Sequence, residues 1–166
     1  MNGYLLDTNV PSEFSRERPE PRVVQWLKRQ PPTMLFLSAV TIGEIRKGLI
    51  ILPQGRRRTE LETWFHTDLL VWFRDRILPV TQSVGDRWGV LDGQCQLRGT
   101  PLNTADGVIA ATALENDLTV VTRNVRTSPV SALRSSILRM HFRLRLFNES
   151  ILTTGANALC RKPETR

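Results

Sequence analysis

The sequence predicts one α/β domain built on a parallel sheet, and three observations carry that expectation. Short apolar runs alternate with amphipathic stretches along the chain, as strands and helices do when they take turns. The small-residue stretch Ala105 to Ala113, a turn at Asn116 to Leu118 and the β-branched run Leu118 to Thr122 have the spacing of a parallel βαβ unit. Polar residues also gather where apolar runs stop, with Asp7 after Tyr4 to Leu6 and Arg123-Asn124 after Thr122. Such strand ends form the edge where open α/β sheets bind ligands.

Taken in order, Tyr4 to Leu6 reads as the first strand. Pro11 and Ser12 open a helix, and a second helix spans Pro21 to Arg29 with Val23, Val24 and Leu27 as its apolar stripe. Met34 to Val40 is β-compatible, and Thr41 is positioned to cap a helix through Gly43, Glu44, Ile45 and Lys47. Arg56 to Arg74 reads as one long helix, since Leu61, Trp64, Phe65, Leu69 and Phe73 recur at helical spacing. Ile77 to Val80 follows as a short buried strand, then a helix from Val84 to Leu97. Thr104 caps the helix that carries Asp106, and Arg139 to Phe147 reads as a final basic strand. The domain is placed at 1–148, with 149–166 as an irregular tail.

Composition narrows the class. A chain of 166 residues, 40% hydrophobic and 23% charged, can bury a core without staples. No apolar run approaches the roughly 18 residues of a membrane span, and the N-terminus lacks the pattern of a signal peptide. The two cysteines, Cys95 and Cys160, form neither a metal spacing nor a disulfide framework, so a cytoplasmic location is expected. The net charge of +7 suits a nucleic-acid partner. Its distribution weakens the inference, because 7 of the Lys and Arg face only 2 acids from Thr127 onward, against 16 and 14 before it.

Three acids stand out, each with a plain structural alternative. Asp7 ends an apolar strand, where a charge needs a cation or a capping role in the turn at Thr8-Asn9. Glu44 lies within a helix and could pair with Lys47 three residues on. Asp106 is a lone charge in the first turn of a helix of small apolar residues; its alternative is the helix dipole, worth only about 0.3–1 kcal/mol. Together the three suit a hard divalent cation, which prefers oxygen and is held by one or two carboxylates with water and substrate phosphate. His66 and His141, the only histidines, lie outside these segments, so the acids would carry any hydrolytic chemistry.

Four segments resemble the PIN-domain family, specifically the ribonuclease toxins of type II toxin–antitoxin modules. They are Leu5-Leu6-Asp7-Thr8-Asn9-Val10, Leu37 to Gly48 around Glu44, Asn103 to Ala113 around Asp106, and Leu118-Thr119-Val120-Val121-Thr122-Arg123-Asn124-Val125. All occur in family order, and the match is strongest over 4–126. The resemblance implies a parallel sheet flanked by helices and cleavage of RNA with Mg²⁺ or Mn²⁺. It implies a small antitoxin that covers the site, in a homodimer or a toxin–antitoxin hetero-oligomer. By residue, Asp7 and Asp106 would be metal ligands, and Glu44 a ligand or a group orienting the attacking water. Asn124 takes the place of a fourth, often acidic, position. Thr8, Asn9 and Thr122 would support the ligands, and Arg46 and Arg123 are candidate contacts to RNA or antitoxin. After Arg126 the sequence departs from the family, with Thr127 and Ser128 where an Asp-Phe pair is usual.

The sequence has two other readings. A haloacid-dehalogenase-like phosphatase would want a second acid two residues after Asp7, where the chain has Asn9. A catalytically weak PIN domain could act chiefly by binding, within an antitoxin-dependent DNA-binding repressor. The amide at position 124 and the diverged C-terminus keep that alternative open.

Overall fold

The computed structural model describes residues 3–123 and, for the backbone, 143–146. Five strands form one parallel sheet in the order β3-β2-β1-β4-β5. They are β1 (Tyr4–Leu6), β2 (Leu35–Ser38), β3 (Ile77–Leu78), β4 (Thr119–Thr122) and β5 (Arg143–Leu146). The helices are α1 (Pro21–Arg29), α2 (Ala39–Ile51), α3 (Arg56–Trp64), α4 (Leu70–Trp72), α5 (Gln82–Leu97) and α6 (Thr104–Glu115). The chain winds outward from β1 to β3, then returns to lay β4 on the other side of β1. Strand order therefore reverses between β1 and β4, the switch point at which doubly wound sheets bind ligands.

The central strands β1, β2 and β4 are covered on both faces, so buried residues follow one another along them rather than alternating with exposed ones. Leu6, Leu35, Leu37 and Val121 pack with Val23, Trp26 and Leu27 of α1, Ile45 and Leu49 of α2, and Phe65, Leu69 and Phe73 beyond. Leu5 and Val120 point the other way, onto Ile109 and Ala113 of α6. A third cluster joins α5 to α6 through Val84, Leu91, Cys95, Ala110 and Ala111. The small residues of α6 allow this double contact. At Gly107 a methyl group would stand 2.9 Å from the Trp88 indole.

The local chemistry agrees with most of the sequence reading and corrects it at element ends. Helix α1 spans Pro21–Arg29 as expected, with the Glu20 side chain accepting from the Arg22 amide at 3.3 Å. The segment opened by Pro11 is only a 3-10 turn, Pro11–Ser15. Ser38, not Thr41, caps α2, accepting from the Val40 amide at 3.2 Å. Ser38 lies three residues earlier, where the backbone is still extended, and Thr41 falls inside the helix. Asn103, not Thr104, caps α6, accepting from the Ala105 amide at 2.9 Å. Thr81 caps α5, which begins at Gln82, two residues ahead of the expected start.

The stretch read as one helix from Arg56 to Arg74 is helical only to Trp72, and a π turn at Phe65–Leu69 interrupts it. Widening the turn keeps Phe65 and Leu69, four residues apart, over the core, where both are buried. Strand β3 has two residues, both half-buried, so the buried strand expected over Ile77 to Val80 is a short edge segment. The final basic strand is present as β5. Asn124, the Thr127-Ser128 departure and the tail at 149–166 lie outside the described residues.

Close approach at the start of β1 generates a test. A methyl group at Gly3 would lie 2.6 Å from the Phe36 ring and 2.8 Å from the Met34 carbonyl oxygen. A backbone neighbour cannot move aside cheaply, so Gly3→Ala should lower unfolding stability by about 1–3 kcal/mol in denaturant titration. An unchanged midpoint would show that the strand start is loosely packed.

Candidate active site

Asp7 sits one residue past β1, and its backbone still belongs to the sheet, since its amide donates to the Val121 carbonyl at 2.9 Å. The neighbouring β4 therefore runs alongside to its last residue. That register places the Thr122 hydroxyl 2.6 Å from Asp7 Oδ2, to which it donates. Asn9 Nδ2 donates to the same oxygen at 2.6 Å, and the Thr8 amide donates to Oδ1 at 2.7 Å. Asn9 also reaches across the switch point, its Oδ1 accepting from the Arg123 amide at 2.9 Å. The capping role considered for Asp7 is thus partly real, because it binds the turn behind it. Its partners are all neutral donors, which fix the carboxylate without cancelling its charge.

Glu44 and Asp106 come from the two helices that flank this edge. Helix α2 is tethered to the end of β1 by Thr41, whose buried hydroxyl donates to the Leu6 carbonyl at 3.5 Å. Glu44 stands one turn further on, half-buried, and makes no ion pair with Lys47 among the described residues. Asp106 is the third residue of α6, which packs on α2. The Asp106 carboxyl is pushed up from 3.8 to about 6, chiefly by burial, with further increments from the charges on Asp7 and Glu44. The three acids expected from the sequence are therefore within electrostatic reach of one another.

Among the described residues, none of the three joins an ion pair. Nor do three or more His, Cys, Asp or Glu side chains there form a group arranged to hold a metal ion. Asp7 and Glu44 are near enough to raise the proton affinity of Asp106 without the three being drawn into a closed cage. An oxygen-only, water-accessible set of this kind fits a hard cation that keeps part of its hydration, and it fits a tightly caged structural metal poorly.

The two arginines are already engaged. Arg123 is ion-paired with Glu13 at 2.5 Å, and Arg46 lies 3.6 Å from Glu62 and over the Phe65 ring. Glu13 was not singled out in the sequence, yet it is fully buried and also accepts from the Glu20 amide at 2.7 Å. Locally only Arg16, three residues on, marks it, and its other partner, Arg123, lies 110 residues away. Thr41 was seen, but as a cap rather than as the tether that sets Glu44.

The raised Asp106 carboxyl makes a signed prediction. A folded-state acid with a raised value holds its proton where the unfolded chain has lost it. Stability should therefore fall as pH rises from about 3.8 to about 6 and then level off. In EDTA, Asp106→Asn should match the parent near pH 4 and melt at higher temperature near pH 7. A melting difference that is constant across that range would remove the case for clustered charge.

Comparison with known proteins agrees with this geometry. The PIN domain family pattern matches residues 4–132. VapC ribonuclease Y4jK of Sinorhizobium fredii is 36% identical over 134 residues, covering 81% of this chain and 94% of the relative. Toxin FitB of Neisseria gonorrhoeae is 38% identical over 120 residues, covering 72% and 86%. The crystal structure of FitAcB from Neisseria gonorrhoeae superposes with a TM-score of 0.74 at 34% identity, over 87% of this chain and 96% of that one. With both its motifs and its backbone path shared over most of its length, the chain belongs to the PIN domain family, alongside the VapC ribonucleases and the FitB toxin.

Proposed function

We propose that this protein is a Mg²⁺- or Mn²⁺-dependent endoribonuclease, the toxin of a type II toxin–antitoxin module. The observation that carries the reading is the charge left at the switch point, where Asp7, Glu44 and a raised Asp106 carboxyl meet without a cation from the described chain. Asp7 and Asp106 would hold the metal, and Glu44 would complete its shell or orient the attacking water. When bound, the cation would supply charge neutralisation at the phosphate and an acidified water. The rest is positioning. Thr122 and Asn9 hold Asp7 in one orientation, as the outer-shell partners of a ligating carboxylate do. Thr41 holds the helix that presents Glu44. Asn124 follows directly on Arg123 and would add an uncharged polar group.

RNA is the substrate that the ribonuclease name of the Sinorhizobium relative supports. A small antitoxin is the partner supported by the toxin name of the Neisseria relative. It would cover the acidic edge, in a homodimer or a toxin–antitoxin hetero-oligomer. No helix among the described residues is long and apolar enough to cross a membrane, which accords with action in the cytoplasm, where RNA is found.

The reading is tested with purified protein and a labelled RNA in Mg²⁺ or Mn²⁺. Cleavage should stop in EDTA and in Asp7→Asn, while Thr122→Val should lose roughly 10–100-fold in rate or in cation affinity. Cleavage that survives EDTA, or survives Asp7→Asn, would overturn the metal-nuclease reading.

A further inference from the structure

We infer that Glu13 is a positioning residue for the acidic edge, acting through Arg123 on the two side chains that orient Asp7. This rests on the proposed function for its catalytic meaning, but its structural content stands separately.

Glu13 lies in the 3-10 turn that leaves β1, and its side chain is fully buried. A carboxylate so placed is costly unless its oxygens are met. Here both are met. Oε2 accepts from the Glu20 amide at 2.7 Å, and Oε1 takes the Arg123 guanidinium at 2.5 Å, with Arg16 at 3.4 Å. Arg16 is exposed and three residues away, a local pair. Arg123 is the distant one, and it stands at the end of β4.

The pair joins the two segments on either side of the switch point. On the β1 side, the Val10 amide donates to the Asp7 carbonyl at 2.9 Å and the Glu13 amide to the Val10 carbonyl at 3.2 Å, so Glu13 is rigidly connected to Asp7 through the backbone. On the β4 side, Arg123 places its own amide 2.9 Å from Asn9 Oδ1 and follows Thr122. Asn9 and Thr122 are the side chains that donate to Asp7 Oδ2. Asn9 Nδ2 also donates to the Thr122 hydroxyl at 3.0 Å, so Asp7, Asn9 and Thr122 form one hydrogen-bonded cluster. Beyond Thr122 the β1–β4 ladder has ended. In the described structure, the Arg123 amide hydrogen bond to Asn9 and the Glu13 ion pair join the residue that follows β4 to the β1 turn.

A residue that only stabilised the fold would lower melting temperature and leave the chemistry of folded molecules unchanged. A positioning residue should change the chemistry of molecules that remain folded. The test uses Glu13→Gln, which keeps shape and one acceptor but loses the charge, beside Arg123→Met. Amide hydrogen exchange, Mn²⁺ affinity and the split of kcat against KM for RNA cleavage are read at a temperature where the Leu5 and Val121 amides remain protected. The expected result is at least tenfold faster exchange at residue 123 in both variants, with at least tenfold weaker Mn²⁺ binding and lower kcat at unchanged KM. If residue 123 exchanges at the parental rate, Glu13 does not hold the strand end. If exchange rises but Mn²⁺ affinity and kcat stay within twofold of the parent, it holds the strand without positioning the site. Either outcome overturns the inference. A parent that neither binds Mn²⁺ nor cleaves RNA would defeat the proposed function and the positioning role together, whereas a loss confined to the variants would leave the function standing.

Discussion

The placement of β4 beside β1 is the constraint from which the acidic edge follows. Three rungs of parallel pairing, Tyr4 with Thr119, Leu5 with Val120 and Leu6 with Val121, fix the register. The Asp7 amide then adds a further hydrogen bond to the Val121 carbonyl. Once that register is set, Thr122 has to arrive at Asp7, and both strands end at the same edge of the sheet. A shift of one residue would turn Leu5 and Val120 away from α6 and Leu6 and Val121 away from the larger core, so burial on both faces protects the register. The position of the site is thus enforced by hydrophobic packing well below it.

The same arrangement creates an electrostatic debt that the described chain leaves open. Neutral donors orient Asp7, and no cationic side chain among the described residues pairs with Asp7, Glu44 or Asp106. Burial and repulsion instead appear as a raised Asp106 carboxyl. Glu13 shows the contrast within one molecule. It is more deeply buried than Asp106, yet two arginines and a backbone amide meet it. The arginine-matched acid joins the two segments around the site, whereas the acids that the described chain leaves unmatched are those that the proposed cation would take up.

Much of this was legible in the sequence because it depends on local pattern. The helix Pro21–Arg29 was readable from its proline and its apolar stripe. The βαβ unit around Asp106 was readable from a small-residue helix followed by a β-branched strand. Element ends were less legible, since Ser38 and Thr41, or Asn103 and Thr104, are chemically similar caps that only backbone geometry separates. The π turn at Phe65–Leu69 was hidden because helical spacing alone does not reveal a local widening. Of the candidate site, Asp7, Glu44 and Asp106 were found through joint register rather than individually. Glu13 was missed because its meaning lies in an ion pair across 110 residues.

If Asp7, Glu44 and Asp106 hold one divalent cation, as proposed, Asp106 has to give up on binding the proton that it carries below about pH 6. Calorimetric titration with Mn²⁺ in two buffers of different ionisation enthalpy measures that proton directly. The account predicts release of about half a proton per cation near pH 6, vanishing toward pH 8 and absent in Asp106→Asn. Binding heats that do not depend on the buffer at pH 6, or proton release that persists in the variant, would contradict it.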